Sequence, residues 1–248
     1  MKTAPVHAPM KTAHAPIGGS IAERIIACPG SLTAPPTTPR TSTGAADRGS
    51  MLHEVVIGLQ QGKWERPEDA IGYTAFGQTL TQADAKSAAL PAWRAVQQWS
   101  GAHPVRYEQR VHFRSIKDAF GTADVLAHDG VLDLKFGTKV VSVKDNAQLL
   151  FYLAAALESK RVKKRDVYRL AIVQPTAPKT LQPTTTTHTQ VRHFTEKLKR
   201  AVDNAYSGKP DFKGGNHCFF CPARQGCKSR LNYDFAGLGL ANLKLNVA

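Results

Sequence analysis

The sequence predicts an α/β domain, a mixed β-sheet flanked by helices. Three observations carry that expectation. Apolar residues recur at helical spacing in the first hundred positions, as at Leu52, Val55, Val56 and Leu59. Between 105 and 136 the period falls to two, and two apolar runs flank Asp129 and Gly130, the composition of a tight hairpin. A helix-length segment that is apolar nearly all round, 144–159, then separates these strands from another strand-like run at 167–174. Helices, three strands, a helix and a strand in that order predict helices packed on a sheet.

Taken along the chain, residues 1–19 repeat MKTA and HAP, are rich in Ala and Pro, and read as a disordered leader in which Met10 is an alternative start. The leader lacks the continuous apolar stretch of a secretion signal. Residues 20–28 predict a short helix stopped by Pro29 and Gly30, and the Pro/Thr/Ser-rich 31–46 a loop. A helix is expected over 47–61, and one or two over 82–100, with a break or new start at Pro91. Strands follow at 105–113, from 121 and up to 136, then the helix 144–159 and the strand 167–174. Residues 175–187, PTAPKTLQPTTTT, read as a loop, followed by a short strand near 188–193 and a helix near 194–207. One domain over 20–230 and a tail over 231–248 are thus expected.

With 248 residues, 42% of them hydrophobic, the chain is long enough to bury a full core. No apolar run approaches the length of a membrane span, so no membrane is expected. Basic residues number 33 against 19 acidic, a net charge of +14, which points to a polyanionic partner, nucleic acid first. KRVKKR at 160–165 and KLKR at 197–200 are either patches for such a partner or solvated helix ends. The cysteines are Cys28, Cys218, Cys221 and Cys227. With no secretion signal beside them, a reducing cytoplasm and metal ligation are expected in preference to disulfides.

The chemistry is expected in the hairpin, GTADVLAHDGVLDLKFGTK. Alternate residues of a strand share a face, so Asp133 and Lys135 point together while Leu132, Leu134 and Phe136 point into the opposite layer. The hairpin brings Asp124 alongside. Two converging carboxylates repel unless a cation lies between them, and hard Mg²⁺ or Mn²⁺ suits oxygen ligands. A lysine beside such an ion orients water, and the set contains the parts needed for phosphodiester hydrolysis. Taken alone, Asp-x-Lys is more often an ion pair at a sheet edge.

GTAD, LDLKFG and QLLFY, in this order and on these element types, resemble the PD-(D/E)XK nuclease superfamily in its RecB-like exonuclease branch. Gly121 and Asp124, Asp133 and Lys135, and Gln148 and Tyr152 match its motifs, and GSMLHEV supplies Gly49 and His53 for its upstream helix. Ala123 stands where the name-giving proline would. The resemblance implies that His53, Asp124 and Asp133 bind the divalent ion and that Lys135 acts on the nucleophilic water. It gives Gln148 and Tyr152 the positioning of the DNA backbone or the lysine. Glu108 falls where relatives often carry a polar strand residue. A metal-dependent DNA nuclease, an exonuclease of phage or bacterial recombination, repair or replication, acting in the host cytoplasm, is implied. The sequence has no G-x-x-x-x-G-K-[ST] motif, so unwinding would fall to a helicase partner, and a single-strand-annealing or single-strand-binding protein is a second possible partner.

The cysteine layout, C-x2-C-x5-C with Cys28 far upstream, resembles the iron–sulfur staple of AddB-type helicase–nucleases and of CRISPR-adaptation nucleases of the same branch. It implies a 4Fe–4S cluster on Cys28, Cys218, Cys221 and Cys227 that ties the two ends of the domain together. Tetrahedral Zn²⁺ on the same thiolates is the alternative. Two other functions stay open on the residues themselves: a non-catalytic DNA-binding or assembly protein on the nuclease scaffold, and a zinc module binding RNA or protein.

Overall fold

The structure is a computed structural model and describes residues 15–37 and 42–237. Helix α1 (Gly19–Ala27) and α2 (Gly44–Gln60) come first. The Thr43 hydroxyl accepts from the Ala46 N–H and caps α2, satisfying one of the donors left open at a helix start. A small hairpin, β1 (Thr74–Ala75) and β2 (Gln78–Thr79), leads to α3 (Gln82–Asp84), a π-helical turn over Ala85–Ala89, and α4 (Leu90–Ser100). Pro91 is tolerated because it occupies the first turn of α4, where a missing N–H costs little. The main sheet is built from β3 (Val105–His112), β4 (Phe120–Ala127), β5 (Gly130–Leu134), β6 (Val167–Val173) and β7 (Leu181–Thr187). Helix α5 (Ala147–Glu158) lies between β5 and β6 in sequence, and α6 (His188–Ala205) and α7 (Lys228–Gly237) follow β7.

Among the described residues the main sheet has five strands in chain order, β3-β4-β5-β6-β7. β3, β4 and β5 form an antiparallel meander, β6 runs parallel to β5, and β7 returns antiparallel to β6. The parallel step requires a crossover, which α5 supplies. Side chains divide by strand parity. Val131, Leu170 and Ile172 join α1, α5 and α6 in one core layer, whereas Leu132, Leu134, Ala171 and Val173 join α2 and α4 in the other. Asp133 shares the parity of Val131 and therefore faces α5 from the central strand of the sheet.

The structure departs from the sequence reading in four places. Residues 181–187 form the edge strand β7 where a loop was expected, because β-branched threonines suit a pleated, half-exposed edge. Residues 188–193 begin α6 and are not a strand: Thr187 and Gln190 form a reciprocal capping box that starts the helix there. The β1–β2 hairpin was not foreseen. Of the leader expected over 1–19, residues 1–14 lie outside the described residues, but Ile17 is buried and bridges in parallel to Ala119, so the end of that segment belongs to the core.

Candidate active site

The β4–β5 hairpin closes at Ala127 and Gly130 and pairs back as far as Val125 with Leu132. The next positions, Asp124 and Asp133, are not paired in that ladder, and the strands part there. Asp124 uses its freed carboxylate locally: Oδ2 accepts from the Leu134 N–H at 2.7 Å. Backbone on the other side of Asp124 is also unusual. Glu108 has a φ of 51° and is skipped in the β3–β4 ladder between Tyr107–Val125 and Gln109–Ala123. A non-glycine residue in that region is strained, and such strain concentrates at functional sites. Its consequence is visible in the packing: Ala123 and Val125, which regular alternation would place on one face, enter opposite core layers.

Seven side chains meet at this fork. Lys135 Nζ lies 2.6 Å from Asp133 Oδ2 and donates to Gln148 Oε1 at 3.0 Å. The Gln148 amide donates to Asp133 Oδ1 at 2.9 Å and to the Tyr152 hydroxyl at 3.1 Å. Gln148 and Tyr152 are one turn apart on α5, so they face the strand together. On the other flank, His53 Nε2 of α2 lies 3.2 Å from Asp124 Oδ1 and 3.4 Å from Glu108 Oε1. His53, Glu108 and Asp124 each offer a ligand atom, all within 4.8 Å of one another. Gly121 is where it is because a Cβ there would stand 2.8 Å from the Tyr152 ring.

Burial and charge pull these groups apart electrostatically. Burial by itself lowers the His53 pKa, but Asp124, its hydrogen bond, Glu108 and Asp133 outweigh it and raise the value to about 9. Burial raises Asp124, yet His53 and Lys135 hold it below the usual carboxylate range. Asp133 goes the other way, up to about 6: burial dominates, the attraction of Lys135 offsets only part of it, and the charge of Asp124 adds to it. Burial also pushes up Glu108, against the pull of His53. For Lys135 burial lowers the value, but Asp133 and Asp124 prevail and raise it. The result is one carboxylate firmly ionised beside one that holds its proton more tightly, the separation expected where acid–base chemistry is arranged.

Of His53, Asp124 and Asp133, expected as ligands, the first two lie together and Asp133 stands apart from them. The three donors that converge are His53, Asp124 and Glu108, while both oxygens of Asp133 are taken by Gln148 and Lys135. The sequence marks Glu108 only as a polar residue of a strand. The signal that identifies it is the hairpin register, which sets it directly across from Asp124.

The four cysteines come together at the opposite end of α1. All four line one small cavity with Phe212, Lys213 and Arg224. Cys28 Sγ accepts from the Lys213 N–H at 3.4 Å, and the Arg24 guanidinium lies 3.6 Å from Cys221 Sγ. Gly30 N–H donates to the Asp211 carbonyl and Thr37 N–H to that of Pro222, so the backbone itself joins the two chain regions. None of the four is in a disulfide. Burial pushes the Cys218 thiol up, and the three neighbouring cysteines add to it.

A family model described as a protein of unknown function, DUF2800, matches residues 14–242. No curated protein matches the chain.

Proposed function

The chain belongs to the DUF2800 family, and for this member we propose a divalent-metal-dependent DNA nuclease of the PD-(D/E)XK type, acting as an exonuclease in phage or bacterial DNA recombination, repair or replication. One observation carries the reading. Asp124, Asp133, Lys135, Gln148 and His53, drawn from two strands and two helices, converge where β4 and β5 separate. An ion pair at a sheet edge needs only Asp133 and Lys135. It gives no reason for a second acid, a histidine and a strained glutamate at the same fork.

The donor set fits a divalent cation. One imidazole nitrogen and two carboxylate oxygens lie within 4.8 Å, and Asp124 and Glu108 flank His53 Nε2 with charge that favours a cation. Carboxylates suit Mg²⁺ and Mn²⁺, and the imidazole favours Mn²⁺ of the two. When bound, such an ion polarises a phosphoryl oxygen and lowers the pKa of a coordinated water. The chain's own groups supply the rest. Lys135, held by Asp133 and Gln148, keeps its proton and places positive charge where a phosphate would gain negative charge. Gln148 fixes both the lysine and the acid, and Tyr152 fixes Gln148. Asp133, buried and with its pKa raised to about 6, holds Lys135 and Gln148 in place beside the fork.

For the cysteines we favour a 4Fe–4S cluster as a structural staple. Zinc bound tetrahedrally at about 2.3 Å would draw its sulfurs to within roughly 3.8 Å of one another. Among the described residues, the donors grouped within 4.8 Å are His53, Glu108 and Asp124, and the cysteines form no such set. A larger cluster accommodates wider spacing.

The test is loss of linear DNA with Mg²⁺ or Mn²⁺, comparing the wild type with Asp133→Ala and Lys135→Ala. Hydrolysis by the wild type and a drop of at least ~100-fold in both variants are expected. Metal-independent loss, or equal loss from all three proteins, ends the nuclease reading.

A further inference from the structure

Beyond the fork, the surface carries an aromatic pair that no packing explains. Phe219 and Phe220, between Cys218 and Cys221, are 65% and 78% exposed. Their rings are 4.7 Å apart at 82°, so their faces point in different directions. Large apolar side chains this exposed are ordinarily removed from a surface or used by it. The pair ends the short helical turn Asn216–Phe220 between two of the cavity-lining cysteines, and Arg224 donates to the Phe219 carbonyl at 2.9 Å.

Two observations indicate what covers these rings. Basic residues are frequent nearby: residues 212–233 contain Lys213, Arg224, Lys228 and Arg230, the last paired with Asp234, and residues 135–144 contain Lys135, paired with Asp133, together with Lys139 and Lys144. The pair is also connected to the fork through Lys139. Lys139 Nζ lies 6.0 Å from the centre of the Phe219 ring. Lys139 is four residues beyond Lys135, at most ~14 Å along extended backbone. That connection is pinned, because the buried Gln174 side chain donates to the Gly137 and Lys139 carbonyls at 2.8 and 2.9 Å and accepts from the Val141 N–H.

We propose that Phe219 and Phe220 form a stacking platform for bases of a single-stranded nucleic-acid segment, with Lys139 holding its backbone on the way to the fork. Exposed aromatics framed by cations are the elements from which sequence-tolerant single-strand binding is built. This deepens the nuclease reading and rests on it for the direction of the strand: bases unpair and stack near the cysteine cluster, and the phosphate to be cut lies a few nucleotides further on. The cysteine staple then has a second role, presenting the platform at a fixed distance from Lys135.

The experiment measures binding of a fluorescently labelled single-stranded dT12 to the full chain, purified without oxygen, in excess EDTA. Hydrolysis plays no part under these conditions, so the outcome is readable even if the nuclease reading fails. Replacing both rings, Phe219→Ala with Phe220→Ala, is expected to weaken binding about 5- to 150-fold, the range for losing stacking on one base. The Trp pair should bind at least as well as the wild type, and the Leu pair should stay weak, since leucine keeps apolar area without a π face. Lys139→Ala should reduce the slope of log affinity against log salt by about one. Binding by the Ala pair within twofold of the wild type overturns the proposal, as does full rescue by leucine. Concentration-dependent self-association that the Ala pair abolishes, with dT12 affinity unchanged, assigns the patch to a second copy and overturns it as well.

Discussion

With divalent ions removed by chelation, His53 should make the fold lose stability as pH rises. The folded pKa of about 9 stands above the ordinary 6.5, so the folded chain holds the proton more tightly than the unfolded one. Stability from this site is therefore fully present below about pH 6.5 and is lost as pH climbs through about 9. At about 1.4 kcal/mol per tenfold in proton affinity, the ceiling is about 3 kcal/mol. Glu108 is 44% exposed and solvent screens its share, which leaves ~2 kcal/mol. For a chain of this size that corresponds to about 4–8 °C in melting temperature. The assay compares thermal melts of the wild type and His53→Gln, in excess EDTA, across pH 6 to 9.5. The variant cannot titrate there, so the difference between the two isolates the site. The wild type should lead at pH 6 and lose that lead by pH 9.5. Added Mn²⁺ competes with the proton and should move the wild-type loss of His53 protonation to lower pH. A difference that stays flat over the whole range would falsify the ion-pair account of His53.

Three other outcomes follow from close contacts and from the cysteines. Gly130→Ala places a Cβ 2.0 Å from the Arg169 carbonyl oxygen in the β5–β6 ladder, backbone that has no room to yield. Urea denaturation should register a loss of ~4 kcal/mol or no folded protein at all, and a loss under 1 kcal/mol contradicts the ladder geometry. Gly121→Ala meets the Tyr152 ring at 2.8 Å, a side chain that can shift, so folding should survive while Gln148 loses its support. Metal-dependent DNA loss should then fall ~100-fold at near-unchanged melting temperature, whereas undiminished activity separates Tyr152 from the site. Cys28→Ala should abolish the visible absorbance of anaerobically purified protein and lower its melting temperature. Full colour and stability in that variant exclude Cys28 from the cluster.

Local sequence determined the elements whose signals are local. The Asp129–Gly130 turn, the period-two strands around it and the apolar helix after it all appear where their residues place them, since turn chemistry and periodicity act over a few positions. Asp-x-Lys and Gln-x-x-x-Tyr likewise share faces by geometry intrinsic to a strand and a helix. The Thr-rich stretch misled because threonine serves loop and edge strand alike, and only the pairing of β7 with β6 decides between them. What tertiary structure alone decided is how the faces are joined. His53 arrives from a helix in the other core layer, Glu108 enters through a strained backbone and a hairpin register, and Asp133 is claimed by Gln148 and Lys135. Each of these depends on groups far apart in the chain meeting in a space whose burial and charge no short window of sequence contains.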